Sequence, residues 1–337
     1  MKVHLLAAIV GVLAAGQLIL AGPLTAQTSL AQSVLAPAFP TKPIRLVVPY
    51  PPGGTTDIIG RAMAPKLARE LGQQVVVDNR AGAGGSTGAG SVANGPADGH
   101  TLLMGAVTHH SIQAALFGKT VPFDIEKSFA PVSIVGTVPL VVVVHPDVRA
   151  ANLSELITLA QSSRGTLTYT SGGAGSTQHM AAELFQQAAR VRMTHVPYQG
   201  GAAAMNDLIA GKVQTMIESA AVAQPHIREG RVRALATATR EPVPTLPDIP
   251  SATAAGLEGF EANLLFGIIV PTGTPEVAIA KLNGALRTIM ALPDMQEALR
   301  SHGAVPGWTS TADTESAIQD ESAKWKKLIK DAQIQIE

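Results

Sequence analysis

Arg45-Leu-Val-Val-Pro-Tyr-Pro-Pro-Gly-Gly-Thr-Thr-Asp57 reads as a short apolar strand, a turn rich in glycine and hydroxyl groups, and the start of a helix. The same order of features returns at Leu167-Thr-Tyr-Thr-Ser-Gly-Gly-Ala-Gly-Ser-Thr177. In each, glycine lets the backbone approach a ligand closely, and the unpaired N–H groups of the following helix point outward at the positive end of its dipole. Each stretch is a candidate anion cradle, and two of them in separate parts of the chain predict two lobes gripping one small carboxylate. Gly53, Gly54, Thr55 and Thr56 are the candidates on the first; Ser171, Gly173, Gly175, Ser176 and Thr177 are their counterparts on the second. A charge-assisted bond from a fixed N–H contributes roughly 1.5 to 3 kcal/mol. A few of them, after ordering and desolvation losses, reach about 8 kcal/mol, which is micromolar affinity without a buried arginine.

Outward from the first cradle, strands and helices alternate as in a parallel sheet covered by helices. Strands are predicted at 44–48, 75–77, 101–104 and 140–145. The helix at 56–71 carries Ile59, Met63 and Leu67 on one face and stops at Gly72, with Pro65 a possible bend. Asn152 and Glu155 have capping-box spacing. Around the second cradle follow a strand at 167–170, a helix at 178–190, a strand at 194–196, a helix at 202–210, and strands at 213–217 and 232–238. The proline-rich 241–250 stretch is a surface connection. The apolar 264–270 suits a buried strand, and Thr274 with Pro275 reads as N-cap and first helical residue. From Thr311 onward Ile318, Trp325, Leu328 and Ile329 recur at helical spacing, predicting a last helix packed on the first lobe.

The length of 337 residues exceeds what one core usually organises, so two domains are expected. Lys2 and His4 precede an apolar stretch from Leu5 to Ala21 and then small residues, the layout of an export signal over 1–31 with cleavage near 26 or 31. An uncleaved anchor is disfavoured by Gly11, Gly16 and Gln17 and by a length short of ~20 apolar residues. Without Lys2 the chain has 24 basic against 25 acidic residues, so nucleic acid is not the expected partner. Aromatic residues are only 4%, which disfavours a sugar site of stacked rings and leaves hydrogen-bonded capture of an acid open. There is no cysteine, which excludes disulfides, thiolate metal sites, a cysteine nucleophile and a lipid-modified N-terminal cysteine.

Several separated motifs in a fixed order carry a family resemblance: Pro49-Tyr-Pro-Pro-Gly-Gly-Thr-Thr-Asp57, Asp78-Asn-Arg-Ala-Gly-Ala-Gly-Gly85, Pro96-Ala-Asp-Gly-His-Thr-Leu-Leu103, His195-Val-Pro-Tyr-Gln-Gly200, Leu246-Pro-Asp-Ile-Pro250 and Gly273-Thr-Pro275. From about residue 40 onward the chain resembles the periplasmic substrate-binding receptors of tripartite tricarboxylate transporters, the Bug-type family. The resemblance implies an α/β, type II periplasmic-binding-protein fold: two Rossmann-like lobes with mostly parallel sheets around a ligand cleft. Lobe 1 would be 39–143 plus 264–337, and lobe 2 would be 144–263. It further implies a di- or tricarboxylate or related carboxylated ligand held by amides and hydroxyls of the two cradle loops, with ordered water on the first-lobe side. No cofactor, metal or catalytic residue is implied. The expected partners are the ligand and the membrane permease subunits of such a transporter, with the receptor a periplasmic monomer. The chain departs from the pattern at Leu264, Leu265 and Phe266, where members often carry tryptophan. It also departs at His100 and His109, in place of tyrosine and threonine, and at Glu218 and Ser219, in place of aspartate and asparagine. These departures bear on which acid is bound.

Other residues keep two readings each. Asp57 would repel an acidic ligand; it either favours the helix's first turn or holds a water or a ligand amino group. Tyr50 and Glu218 enter the candidate site through the motifs. Thr108 and His109 follow a strand end where a cleft is expected, and His109-His110 as a metal pair lacks matching ligands nearby, which leaves loop histidines as the plainer reading. His179 and His195 read as helix-cap and core or cleft hydrogen-bonding groups. Tyr198 either frames the pocket or fills core, and Arg61 and Arg80 read as loop-bracing. Gly84-Gly-Ser-Thr-Gly88 matches a nucleophile elbow, yet 78–83 separates Ser86 from the preceding strand. Gly88-Ala-Gly-Ser-Val-Ala93 matches a dinucleotide fingerprint in the same wrong place, and export argues against a diffusible cofactor. Two alternatives to transport stand beside the receptor: a ligand-sensing subunit for a membrane histidine kinase, and, more remotely, a secreted serine hydrolase at Ser86.

Overall fold

The apolar run after Lys42-Pro43 is a strand because every second side chain finds a core on each side of it. The computed structural model describes residues 39–334; the export segment expected at 1–31 lies outside them. In chain order the first elements are β1 (Ile44–Val48), α1 (Thr55–Leu71), β2 (Val75–Asn79), α2 (Ser86–Ala93), β3 (Thr101–Ala106), α3 (Val107–Phe117) and β4 (Phe129–Val144). Next come α4 (Leu153–Ser162), β5 (Thr168–Ser171), α5 (Thr177–Ala189), β6 (Thr194–Pro197), α6 (Gly201–Ile209), β7 (Thr215–Ser219), α7 (Ala220–Arg228) and β8 (Arg233–Thr237). The chain closes with β9 (Asn263–Pro271), α8 (Glu276–Met290), α9 (Pro293–Arg300), β10 (Val305–Pro306) and α10 (Thr311–Asp331).

The strands are hydrogen-bonded in the order β2-β1-β3-β9-β4-β7-β5-β6, with β8 and β10 added to β4. The outer trios β2-β1-β3 and β7-β5-β6 are parallel, as βαβ alternation requires, whereas β9 and β4 run antiparallel through the centre. The expectation of mostly parallel sheets therefore describes the two flanks, and the join between them is antiparallel. β4 is that join. Its residues up to Pro139 pair with β9, and from Leu140 onward it pairs with β7 on one edge and β8 on the other. Sequence patterning finds only its second half, because Pro131, Ser133, Gly136 and Pro139 interrupt the first, where the register shifts twice.

Alternation across the sheet fixes the cores. Leu46 and Val48 face one cluster with Leu102, Met104 and Ile268, while Val47 faces another with Leu103 and Ile269. In the second half Leu140, Val142 and Val144 pack with Tyr169 and Phe185, and Val141 and Val143 pack with Met205 and Leu208. Strands covered on both faces read as unbroken apolar runs. Pro65 lies inside α1, which continues past it to the left-handed Gly72. α8 begins one residue later than predicted: Pro275 is its N-cap, and Thr274 instead donates its hydroxyl to the Pro271 carbonyl. The last helix also corrects the sequence reading. In α10, Ile318 joins a first-half cluster, but Trp325 and Leu328 lie in the core of the second half. α3 divides in the same way, with Val107 in the first half and Ile112 in the second, so the two helices brace both halves.

Candidate functional site

The first cradle is lashed down by charge. β1 ends at Val48, the chain turns through 49–54, and α1 starts behind Gly54, an N-cap without a side-chain cap. Asp57, 3% exposed, turns back under the loop. Its Oδ2 accepts from the Gly53 N–H and from Arg61 Nε, both at 2.9 Å, and its Oδ1 accepts from Asn79 Nδ2 at 2.8 Å. Asn79 Nδ2 also donates to the Tyr50 carbonyl, and Arg61 donates to Asn79 Oδ1. Burial alone would raise the Asp57 carboxyl, but the hydrogen bonds from Arg61, Gly53 and Asn79 hold it below its ordinary range. Asp57 therefore supports the loop and does not line the cavity, and the Gly53 amide is already engaged. The N–H groups of Thr55 and Thr56, which no helical carbonyl can reach, remain at the mouth of α1.

The second cradle is held without a charged lash. Ser171 ends β5 fully buried, and its Oγ accepts from the Gly173 N–H at 3.1 Å and lies 2.7 Å from His195 Nε2. Gly173 has φ +124°, a conformation that side chains rarely adopt. The Gly175 N–H donates to His179 Nδ1 at 3.1 Å, and Ser176 caps α5 by accepting from the His179 N–H. The His179 and His195 rings stack 4.3 Å apart with Tyr169 beyond His195. Burial, and for His195 the neighbouring His179, lowers both rings, His195 to about 4. An Nδ1 that accepts from Gly175 must be unprotonated, which agrees. The amides of Gly173 and Gly175 are thus taken by the loop itself.

Between the cradles lies a cavity of about 470 Å³ lined by Tyr50, Gly54, Thr55, Thr56, Thr108, His109 and Thr177 of the expected residues, together with Pro51, Pro52, Ala106 and Leu264 to Phe266. A second cavity of about 540 Å³ takes Gly175 and Ser176, and shares His109. His109 Nε2 contacts the Gly84 carbonyl at 3.0 Å, and its Nδ1 lies 3.4 Å from Thr177 Oγ1, so one ring touches both halves. His109 and His110 are not loop residues: they lie on the first turns of α3. His110 is buried, stacked on Tyr50 and edge-on to Phe123. Burial first, and His109 next, lower it to about 3. Thr108 lines the cavity, but its hydroxyl donates to the Asn263 carbonyl and accepts from the Leu265 N–H.

Gly53, Asp57, Ser171, Gly173, Tyr198 and Glu218 do not line either cavity. The Tyr198 hydroxyl donates to Asp207. Glu218, 4% exposed, accepts from the Ser219 N–H and from Gln178, and burial pushes its carboxyl up. Gln113 was not singled out from sequence; it donates to the Ala83 and Gly84 carbonyls and accepts from Ser86. Its signal was the i, i+4 spacing from His109 on one helix. Ser86 Oγ is bonded to Gln113 rather than to a histidine, unlike an activated nucleophile. At Gly88 a Cβ would meet the Arg80 carbonyl at 2.6 Å, so the fingerprint-like glycines are there for close helix packing. Among the described residues no helix is long and apolar enough to cross a membrane.

Known proteins match this arrangement along nearly its whole length. A curated relative from Pseudomonas sp. strain P51, described as a UPF0065 protein in the tcbD-tcbE intergenic region, is 38% identical over 92% of this chain and 93% of its own. Among solved structures, R. palustris Rpa4515 with adipate is 34% identical with a TM-score of 0.75, covering 88% of this chain and 99% of that one. MatC from Rhodopseudomonas palustris with bound malate is 32% identical with a TM-score of 0.72, covering 86% and 100%. The family model described as "Tripartite tricarboxylate transporter family receptor" matches residues 59–334, and the chain belongs to that family.

Proposed function

We propose that this protein is a periplasmic receptor that captures a small organic acid between its two halves and delivers it to the membrane permease of a tripartite tricarboxylate-type transporter. The observation that carries the reading is the cavity whose wall is shared by the start of α1 and by Thr177 at the start of α5. The Gly54 to Thr56 segment and Thr177 are the primary carboxylate contacts, with His109 closing the wall from α3. The other expected site residues act through these: Asp57 and Gly53 hold the first loop, and Ser171, Gly173, Gly175 and Ser176 hold the second. Tyr50 and Thr108 shape the wall, and Tyr198 and Glu218 support the second half from behind. Malate and adipate in related structures support a carboxylate as ligand.

Closure is the mechanism. Lobes 39–143 with 264–337, and 144–263, each contribute part of the anion's shell, so the ligand favours the closed state by contacts available only there. The hinges of this reading are Pro139–Leu140, where β4 changes partners from β9 to β7 and β8, and Ala262–Asn263, so 140–143 and Asn263, divided otherwise by the bounds read from sequence, change sides. The protein binds and releases; no bond is made or broken. Gly54→Leu tests this. Gly54 has φ −81°, ψ 167°, which any residue adopts, and no atom lies within 4 Å of a Cβ built there. The side chain would occupy ligand space and leave the fold intact. Calorimetry should show affinity for the best acid reduced by about a hundredfold or more, a loss of about 2.7 kcal/mol. Unchanged affinity would contradict the reading.

A further inference from the structure

One imidazole stands between the two cavities. His109 lines both, and every other lining residue belongs to one of them alone. Its ring reaches across the crevice from side to side. Nε2 donates to the Gly84 carbonyl at 3.0 Å, in the loop before α2, and Nδ1 lies 3.4 Å from Thr177 Oγ1 at the start of α5. The Tyr50 ring meets it edge-on from the first cavity, with centroids 6.1 Å apart. Three helix starts open into that first cavity: Thr55 and Thr56 on α1, Thr108 and His109 on α3, and Thr177 on α5. First-turn amides have no helical partner, so a short acid finds donors there from three directions. Beyond the ring lie a further 540 Å³ or so, where Phe117, Val121 and Pro122 stand beside the hydroxyl-bearing Ser86, Thr87 and Ser176. An extended acid with one end among the helix starts meets the imidazole before it reaches this space.

From this we infer that His109 sets the length of the acid: its ring is the partition that confines the ligand to the first cavity, and a small side chain at 109 joins the two cavities into one site for long-chain acids. The inference rests on the capture reading above and deepens it. An acid too long for the first cavity must push the ring aside, which breaks its bond to Gly84, or leave the far end in water. Taking the ring away leaves the Gly84 loop held. Gln113 Nε2 donates to the same carbonyl at 3.1 Å and to that of Ala83 at 3.2 Å. Alanine at 109 also suits α3, so the change falls on the partition and not on the helix.

Two series of acids test it: succinate, adipate, suberate and sebacate, and butyrate, hexanoate, octanoate and decanoate. Within each the ends are constant and only methylenes are added. In the series that binds, calorimetry on the full protein should find the tighter of the two short acids bound at least about tenfold more tightly than the two long ones. His109→Ala should move that ratio by about tenfold or more toward the long acids. His109→Phe keeps a ring in place without the donated N–H and should keep the order of the unmodified protein. A merely structural role for His109 would weaken long and short acids alike in both variants. Long acids bound as tightly as short ones by the unmodified protein, or a ratio unmoved by His109→Ala, overturns the partition. With Gly54→Leu still abolishing binding, carboxylate capture then stands. Failure of every acid in both series to bind overturns both. Should His109→Ala not fold, His109→Thr makes a similar opening and is read in the same way.

Discussion

The two cradles begin from nearly the same sequence grammar and are stabilised by different chemistry. At 50–57 an ionised carboxylate, Asp57, gathers Gly53, Arg61 and Asn79 and leaves the first amides of α1 free. At 171–177 neutral groups do that work: the Ser171 hydroxyl takes up the Gly173 amide and the His179 imidazole the Gly175 amide, with His195 stacked on His179 and against Ser171 Oγ. One loop depends on a charge that persists at low pH, the other on histidines that must stay neutral. The first loop keeps its lash below the ordinary carboxylate range, and the second is the acid-sensitive one.

The sharpest break of that contrast is Asp57→Ala. It removes three hydrogen bonds to a buried charge and should cost about 3 kcal/mol of stability, read as a lower urea midpoint at neutral pH. The charge is depressed in pKa, so its contribution is present above the ordinary carboxylate range and is lost only as pH falls through the lowered value. A variant as stable as the parent would mean the lash is ornamental.

A smaller effect separates the loops by pH. His195 is held at about 4 against 6.5 in the unfolded chain, because burial and His179 disfavour its charged form. The unfolded state therefore takes up a proton first, and stability, full above 6.5, is lost as pH falls toward 4. Between pH 7.5 and pH 5 this ring should account for about 1 to 2 kcal/mol. His195→Phe keeps the stack and leaves the Ser171 hydroxyl donating to the Gly173 carbonyl. It should shrink the acid loss seen in urea titrations, while Asp57→Ala should leave that loss as large as in the parent. His110 remains in both variants and supplies a common background slope. An acid loss unaltered by His195→Phe would remove the histidines from the account. The smallest effect is Ser176→Ala, which uncaps α5 at a cost of about 0.5 to 1 kcal/mol. α1 has no side-chain cap to lose. A cost near zero would show that the second loop is held by its imidazoles alone.

Both cradles and most flanking elements were legible in the sequence, since β1, α1 and the Asn152 cap rest on local signals: apolar alternation, a terminal Gly72 and side-chain spacing. The first half of β4 was hidden by its prolines and bulges, which only its pairing with β9 and β10 stabilises. The placement of Trp325 in the far half likewise depends on tertiary packing. At the site, sequence located the helix starts but not how the donors are spent. Whether a Gly53 or Gly175 amide is free depends on Asp57 and His179 turning back by four residues, a geometry that composition does not carry. Leu264 to Phe266, a departure from tryptophan in the sequence, line the cavity, a placement set by the pairing of β9 with β3 and β4.

Amide hydrogen exchange, resolved by residue in the presence and absence of a bound organic acid, tests the central claim most directly. One acid held by both helix starts predicts new protection together at Thr55 and Thr56 on α1 and at Thr177 on α5. Protection confined to one of these helix starts, or absent from both while the acid is bound, would contradict it.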